Sequence, residues 1–127
     1  MSDVPSDLKY TRDHEWARVE GDRVAIGITA HAAEQLGDII LVNVDAKVGD
    51  RVEAGKVFGV VESTKSVSDL YAPVTGTLVA INDALKDHPE KVNEAPYTDG
   101  WIIAVTPEGG LDGLLDAGAY TALLGSL

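Results

Sequence analysis

The group best suited to chemistry in this sequence is the side-chain amine of Lys65, which lies in a short polar run between two apolar segments. Residues 57–61 before the run are apolar and prone to form a strand, and residues 67–72 after it alternate and stop at Pro73. Two strands joined by a short polar turn are typical of a β-hairpin. We therefore expect Lys65 at the tip of a hairpin, with its amine well clear of the body of the protein and open to acylation by another enzyme.

The polar run between the two strands determines the type of turn. It contains no Gly, Asn or Asp and consists of Glu62, Ser63, Thr64, Lys65 and Ser66. A two-residue type I′ turn is therefore not expected, whereas a slightly longer turn with type I geometry tolerates these residues. The ordinary alternative is that Lys65 is a solvated surface charge, as most exposed lysines are.

The other reactive side chains give weaker signals. His14, His31 and His88 lack the spacing of metal ligands, and the sequence has no cysteine. The serines around Lys65 have no neighbouring base that would activate a nucleophile. A lysine that forms Schiff bases needs a desolvated pocket, and an exposed hairpin tip is the opposite environment. The sequence therefore predicts neither a metal site nor a catalytic site.

The composition limits the classes of partner. A chain of 127 residues with 45% hydrophobic residues can form one globular domain. Its net charge of −11 argues against nucleic-acid backbones and anionic membrane surfaces, and favours either simple solubility or steering toward basic patches on partners. No apolar run is long enough to span a bilayer, and the N-terminus resembles neither a secretory signal nor a transit peptide. We expect a cytoplasmic protein, or one of the mitochondrial matrix if a transit peptide has been removed.

The pattern of apolar residues predicts a mainly β fold of the sandwich or barrel type. Apart from the lysine hairpin and a short strand before it, strands are expected over residues 8–11, 16–20, 23–28, 39–44, 77–81 and 101–105. Gly21 and Asp22 indicate a hairpin between the second and third of these. Residues 39–44 are nearly all apolar, which predicts a strand buried on both faces.

Helical signals occur at three places. Thr29 is suited to cap a short helix over Ala30–Leu36, and Gly37 is suited to end it. Residues 82–93 are polar and contain Pro89, which predicts a loop with one helical turn. From Leu111 onward, leucines at helical spacing predict C-terminal helices, with a break near Gly118.

The order of motifs around Lys65 resembles that of the lipoyl and biotinyl carrier domains, in which two similar half-motifs flank a modified lysine. Biotinyl carriers usually place Met on both sides of that lysine, but Thr64 and Ser66 stand here. The lipoyl domains of 2-oxoacid dehydrogenase complexes are shorter and are tethered by flexible linkers, and no such linker is visible in this sequence. Extra strands before the carrier core and extra helices after it instead resemble the H protein of the glycine cleavage system.

Further motifs support the resemblance to the H protein family, from about residue 8 to residue 120. They are His14-Glu15-Trp16, Gly27-Ile28-Thr29, Leu36-Gly37-Asp38-Ile39, Val92-Asn93, Pro96-Tyr97 and Gly100-Trp101. The resemblance implies a barrel-sandwich hybrid fold, with residues 1–127 as a single lipoyl-carrier domain and its core at about residues 37–81.

The same resemblance implies a carrier without catalytic activity of its own. Lipoate would be attached by an amide to Lys65, after transfer by a lipoate ligase or lipoyltransferase. It would carry an aminomethyl group and reducing equivalents between glycine decarboxylase (the P protein), aminomethyltransferase (the T protein) and dihydrolipoamide dehydrogenase (the L protein). An H-like protein that relays lipoate to other enzymes is the alternative within the family.

The resemblance also implies a cleft that receives the loaded arm. In the family this cleft lies near the His-Glu-Trp loop and the strand after the lysine, and Asp13, Glu15 and Asp69 match those positions. A carboxylate there would hold a cationic amine through a charge-assisted hydrogen bond. The alternative is that all three are ordinary surface carboxylates.

Overall fold

Short antiparallel strands and tight turns make up most of the fold. The computed structural model describes residues 3–111 and 113–127. Within these ranges the strands are β1 Lys9–Tyr10, β2 Glu15–Glu20, β3 Arg23–Ile28, β4 Ile39–Val44, β5 Arg51–Val52, β6 Val57–Ser63, β7 Val67–Tyr71, β8 Gly76–Ile81 and β9 Ile103–Pro107. The helices are α1 Ala30–Leu36, α2 Ala84–Asp87, α3 Lys91–Glu94 and α4 Ala117–Gly125.

The strands form two sheets. One has six strands in the order β1-β2-β3-β9-β8-β5, and the other has three in the order β4-β6-β7. Buried side chains of both sheets, such as Ile26, Val61 and Leu78, belong to one apolar cluster. The prediction of a mainly β fold built from packed sheets is therefore confirmed. None of the helices in the described part of the chain is long and apolar enough to cross a membrane.

The first hairpin and the first helix follow the local sequence signals. Glu20 pairs with Arg23 across the turn, and Gly21 adopts a φ of 67°, which glycine accommodates without strain. The Thr29 hydroxyl accepts a hydrogen bond from the amide of Ala32 at 3.2 Å, so Thr29 caps α1 as predicted. Gly37 ends the helix with a φ of 85°, again as predicted.

A second apolar cluster is built on aromatic residues and fastens α4 to the first strands. The rings of Tyr10 and Tyr120 are stacked, with centroids 4.7 Å apart, and Trp16 lies fully buried in the same cluster. The indole nitrogen of Trp16 donates to the carbonyl oxygen of Pro96 at 2.9 Å. The burial of these large rings explains why the short C-terminal helix is held against the six-stranded sheet.

The expectation that β4 is buried on both faces is wrong. Ile40 and Leu41 are 51% and 46% exposed, although Ile39 and Val42 are buried. The pairing of β4 with β6 shifts register between Ile39 and Leu41, which marks a bulge. A bulge interrupts the alternation of side chains, so two consecutive residues can face solvent.

The C-terminal prediction is correct for one helix and wrong for the other. Residues 113–116 are not helical, and Asp112 lies outside the described residues. The amide and carbonyl groups of Leu115 exchange hydrogen bonds of 2.7 Å with Tyr10, which keeps the chain extended there. Asp116 then caps α4, and Gly118 lies in its first turn instead of breaking it.

Two smaller differences concern the segment before the last strand. Residues 82–93 contain α2 and the start of α3, so the predicted single helical turn is two short helices separated at Pro89. The last strand begins at Ile103, two residues later than predicted, and includes Pro107 as its final residue. A proline is tolerated there because it ends the strand and needs to donate no further ladder hydrogen bond.

Candidate functional site

The predicted lysine hairpin is present. Strands β6 and β7 pair from Val57–Tyr71 at one end to Glu62–Val67 at the other, and residues 64–66 connect them. No residue of this connection has a positive φ, so it is not a type I′ turn, as the sequence indicated. The side chain of Lys65 is exposed at the tip.

Ser63 organises the turn from within. Its side chain is only 5% exposed, and its hydroxyl oxygen accepts hydrogen bonds from the amides of Lys65 at 3.1 Å and Ser66 at 3.0 Å. The same hydroxyl can donate to the carbonyl oxygen of Ser66 at 3.2 Å. One serine therefore satisfies the polar backbone of the turn, in the manner of the local side-chain turns that Ser and Thr form. This fixes the backbone from which the Lys65 side chain extends.

Ser63→Ala is expected to loosen the turn while leaving the rest of the fold intact. The lost hydrogen bonds should lower the free energy of unfolding by about 1 kcal/mol, since water can reach part of the turn. Amide hydrogen exchange at Lys65 and Ser66 should accelerate. Ser68→Ala is the matched control, because the Ser68 hydroxyl is exposed and makes only a 3.4 Å contact with its neighbour Asp69. Equal exchange rates in the two variants would contradict the role given to Ser63.

The turn at the tip of the hairpin contacts the segment between α1 and β4. The amide of Thr64 donates to the carbonyl oxygen of Asp38 at 3.0 Å. The stem of Lys65 passes so close to Gly37 that a Cβ atom on that glycine would lie 2.9 Å from Lys65 Cε. The expectation that the amine stands well clear of the body is therefore wrong in detail. The side chain is exposed, but its methylene stem runs alongside the glycine, where the absence of a side chain leaves room.

The three carboxylates proposed for an arm-binding cleft lie in different environments. Glu15 is buried, with 2% exposure, whereas Asp13 and Asp69 are exposed. Glu15 Oε2 accepts a hydrogen bond from the amide of Tyr71 at 2.9 Å, so the start of β2 contacts the end of β7. Asp69 lies on β7 two residues before Tyr71. The fold thus brings Glu15 and the strand of Asp69 together, but exposes only the aspartates.

Burial changes the chemistry of Glu15. Desolvation is the dominant cause that raises the pKa of Glu15 to about 8, and the negative charge of Asp13 adds to it. The hydrogen bonds from Tyr71 and from the Thr11 hydroxyl act in the opposite direction and do not outweigh burial. At neutral pH the neutral acid is therefore favoured. In that form the side chain still accepts the amide hydrogen bond from Tyr71 at the end of β7 but attracts a cation weakly.

A cluster of three hydrogen-bonded side chains next to Glu15 was not evident from the sequence. His14 has a φ of 67°, and its Nδ1 lies 2.7 Å from the hydroxyl oxygen of Tyr120, which is also 2.8 Å from Thr29 Oγ1. Desolvation, together with the neighbouring ring of His31, lowers the pKa of His14. Tyr120 is 106 residues from His14 and 91 from Thr29, so only the fold brings it to them. Their contacts tie α4 to the loop before β2.

The lysine itself has the chemistry of a presented amine. In the described part of the chain, Nζ of Lys65 takes part in no ion pair. Among residues 3–111 and 113–127, no group of His, Asp and Glu side chains is arranged to hold a metal ion. A covalent group attached to Lys65 through an amide would fit, because its attachment point is exposed and the turn beneath it is fixed by backbone hydrogen bonds.

A mainly β protein with two packed sheets and one lysine presented on a hairpin turn has the architecture of a lipoyl-carrier protein. The family described as Glycine cleavage H-protein matches residues 8–126. The glycine cleavage system H protein of Myxococcus xanthus is 56% identical over 123 residues, which cover 95% of each chain. That of Geobacillus kaustophilus is 51% identical over 123 residues, covering 95% of this chain and 96% of the relative.

The structural comparison agrees with the sequence comparisons. The crystal structure of a glycine cleavage system H protein from Mycobacterium marinum superimposes with a TM-score of 0.87 and is 42% identical, covering 96% of this chain and 99% of the other. The chain belongs to the glycine cleavage H-protein family.

Proposed function

We propose that this protein is the lipoyl carrier of a glycine cleavage system and that Lys65 is the residue that carries lipoate. The observation that carries the proposal is the exposed Lys65 side chain on the turn between β6 and β7. Membership of the glycine cleavage H-protein family supports it. The matching relatives named above are bacterial, which supports a location in the cytoplasm.

In the proposed function, lipoate carries out the sulfur chemistry and the protein positions it. When bound, lipoate supplies a dithiolane that can accept a one-carbon unit and two electrons. The protein supplies the attachment amine, the Ser63-centred turn that fixes it, and a surface that partners can recognise. The partners are the P, T and L proteins of the system and the ligase or transferase that attaches lipoate. The chain by itself catalyses no step.

Reconstitution tests this proposal. Lipoylated protein, mixed with a P protein and glycine, is expected to support release of carbon dioxide in proportion to its concentration. Unlipoylated protein is the control and should support none. Lipoylated protein without partner enzymes should also release none, because the chain is proposed to be a carrier only. Steady turnover by the isolated chain, or equal rates with and without lipoylation, would overturn the proposal.

We further propose that Asp69 is the carboxylate that holds a cationic amine at the end of the loaded arm. Asp69 is exposed on β7, the strand that leads away from the Lys65 turn. Glu15 then has a supporting role, because it accepts the amide hydrogen bond of Tyr71 at the far end of that strand. Asp13 lies beside Glu15 in the chain and is the alternative carboxylate.

Asp69→Asn is expected to shorten the time for which lipoylated protein retains label derived from glycine. A charge-assisted hydrogen bond at an exposed site contributes about 1.5 kcal/mol, so its loss corresponds to a roughly tenfold faster loss of the label. Asp13→Asn is the matched control, since it removes the same charge from an exposed aspartate. Equal retention in wild type and Asp69→Asn would exclude Asp69, and faster loss from Asp13→Asn alone would transfer the role to Asp13.

A further inference from the structure

Helix α3 contributes one side chain that binds the backbone of the segment beneath the lysine turn. The amide group of Asn93 donates from Nδ2 to the carbonyl oxygen of Gly37 at 2.9 Å. Its Oδ1 accepts from the amide of Ile39, also at 2.9 Å. A single half-buried side chain therefore holds both ends of residues 37–39. Such paired side-chain contacts to backbone groups restrict the local conformation strongly, because both bonds are lost if the segment moves.

The segment held by Asn93 is the same one that supports the lysine turn. Between the two residues bound by Asn93 lies Asp38, whose carbonyl oxygen accepts the Thr64 amide at 3.0 Å. Gly37 borders the Lys65 stem, and a Cβ atom on this glycine would lie 2.9 Å from Lys65 Cε. The contacts therefore continue from Asn93 through the backbone of residues 37–39 to the turn.

We propose that Asn93 is a positioning residue for lipoylation of Lys65. It holds residues 37–39 in the conformation in which the carbonyl oxygen of Asp38 accepts the Thr64 amide. The inference rests on the proposed function, since it assigns Asn93 a role in attaching the group that Lys65 is proposed to carry. The inference assigns a role in lipoylation to Asn93, whose side-chain hydrogen bonds go to Gly37 and Ile39 and not to Lys65.

The physical reason for the expected effect is the conformational entropy that the turn loses when an enzyme binds it. An enzyme that acylates Lys65 must bind the turn in one conformation, and a turn that is already ordered loses less conformational freedom on binding. Loss of the Asn93 contacts should therefore weaken productive binding of the turn more than it slows the chemical step. The expected signature is a higher KM for the acceptor protein with little change in kcat.

Asn93→Asp tests this with little change in size. The carboxylate keeps an acceptor for Ile39 but cannot donate to Gly37, and it places two oxygen atoms against each other. Asn82→Asp is the matched control: Asn82 is also half-buried, and its Nδ2 donates to the carbonyl oxygens of Asp99 at 2.9 Å and Trp101 at 2.8 Å. The control therefore loses side-chain donors of the same kind, away from residues 37–39.

Two measurements are made on each variant. In the unmodified chain, hydrogen exchange of the Thr64 amide should be about tenfold faster in Asn93→Asp than in wild type, and unchanged in Asn82→Asp. With a purified lipoate–protein ligase, lipoate and ATP, the KM for the Asn93→Asp protein should rise by roughly five- to tenfold, with kcat within about twofold of wild type. If Asn93→Asp does not fold, Asn93→Ser is measured in its place with the same expectation.

The outcomes separate this inference from the proposed function. Unchanged Thr64 exchange in the Asn93 variant, or an equal rise of KM in the Asn82 control, would overturn the positioning role. A fall in kcat at constant KM would overturn it as well. Failure of the wild-type chain to accept lipoate would count against the proposed function instead, because the exchange of the Thr64 amide does not depend on lipoylation.

Discussion

Lys65→Arg is expected to abolish lipoylation and, with it, every carrier function, while leaving the fold intact. Arginine keeps the positive charge but its delocalised guanidinium is not an acyl acceptor like the lysine amine. The fold should survive because the turn is held by the hydroxyl of Ser63 and by backbone groups, none of which depends on the end of the Lys65 side chain. Intact mass after incubation with a lipoate–protein ligase should show no added lipoyl group.

Lys56→Arg is the control for this change. Lys56 is also exposed and lies in the turn that precedes β6, at the opposite end of the same hairpin. It should accept no lipoate in the wild type, and its replacement should leave the mass shift of the protein unchanged. Lipoylation of Lys65→Arg at any other lysine would contradict the assignment of a single attachment site.

The parts of the fold that could be predicted are those specified by neighbouring residues. Thr29 and Gly37 delimit α1 because a hydroxyl before a helix and a glycine after it act within one turn of chain. The lysine hairpin was predictable for the same reason, since two strand-like segments flank a short polar run. Family resemblance added the cofactor and the partners, which no local pattern could have supplied.

The parts that could not be predicted depend on contacts between distant residues. Glu15 and Tyr71 are 56 residues apart, as are Asn93 and Gly37, and neither pair leaves a periodic signal in the sequence. From the sequence alone, Glu15 could therefore not be distinguished from an exposed carboxylate, and only the fold shows that it is buried. The importance of Ser63 was hidden for another reason: the serine is local to the turn, but its burial depends on the packing of the hairpin.

The apolar content of β4 led to a wrong prediction of burial, because a bulge in its backbone determines which way its side chains point. A continuous run of apolar residues is typical of a strand buried on both sides, and β4 has such a run. The bulge at Ile39–Leu41 turns Ile40 and Leu41 outward, and Leu41 pairs with Glu62, three residues before Lys65. A bulge in that position has no sequence signature strong enough to be recognised from one chain.

Glu15→Gln is expected to stabilise the protein relative to wild type at alkaline pH but not at acid pH. In the folded state the pKa of Glu15 is raised to about 8 from an ordinary value of 4.5. Between these two values the folded protein holds the proton more tightly than the unfolded chain. The contribution of this group to stability is thus fully present below about pH 4.5 and is lost as the pH rises through about 8.

Glutamine removes this dependence because it stays neutral at every pH, while its Oε1 can still accept the Tyr71 amide. The free energies of unfolding of the variant and the wild type should be measured with urea at pH 5 and at pH 9. From pH 5 to pH 9 their difference should shift in favour of the variant by roughly 2–5 kcal/mol. Glu20→Gln, at the half-exposed end of the same strand, controls for the loss of one carboxylate. A difference that stays constant with pH would mean that Glu15 is ionised when buried. Burial would then not raise the pKa of Glu15 as inferred above, and a negative charge would lie at the buried start of β2, where the Tyr71 amide donates to it.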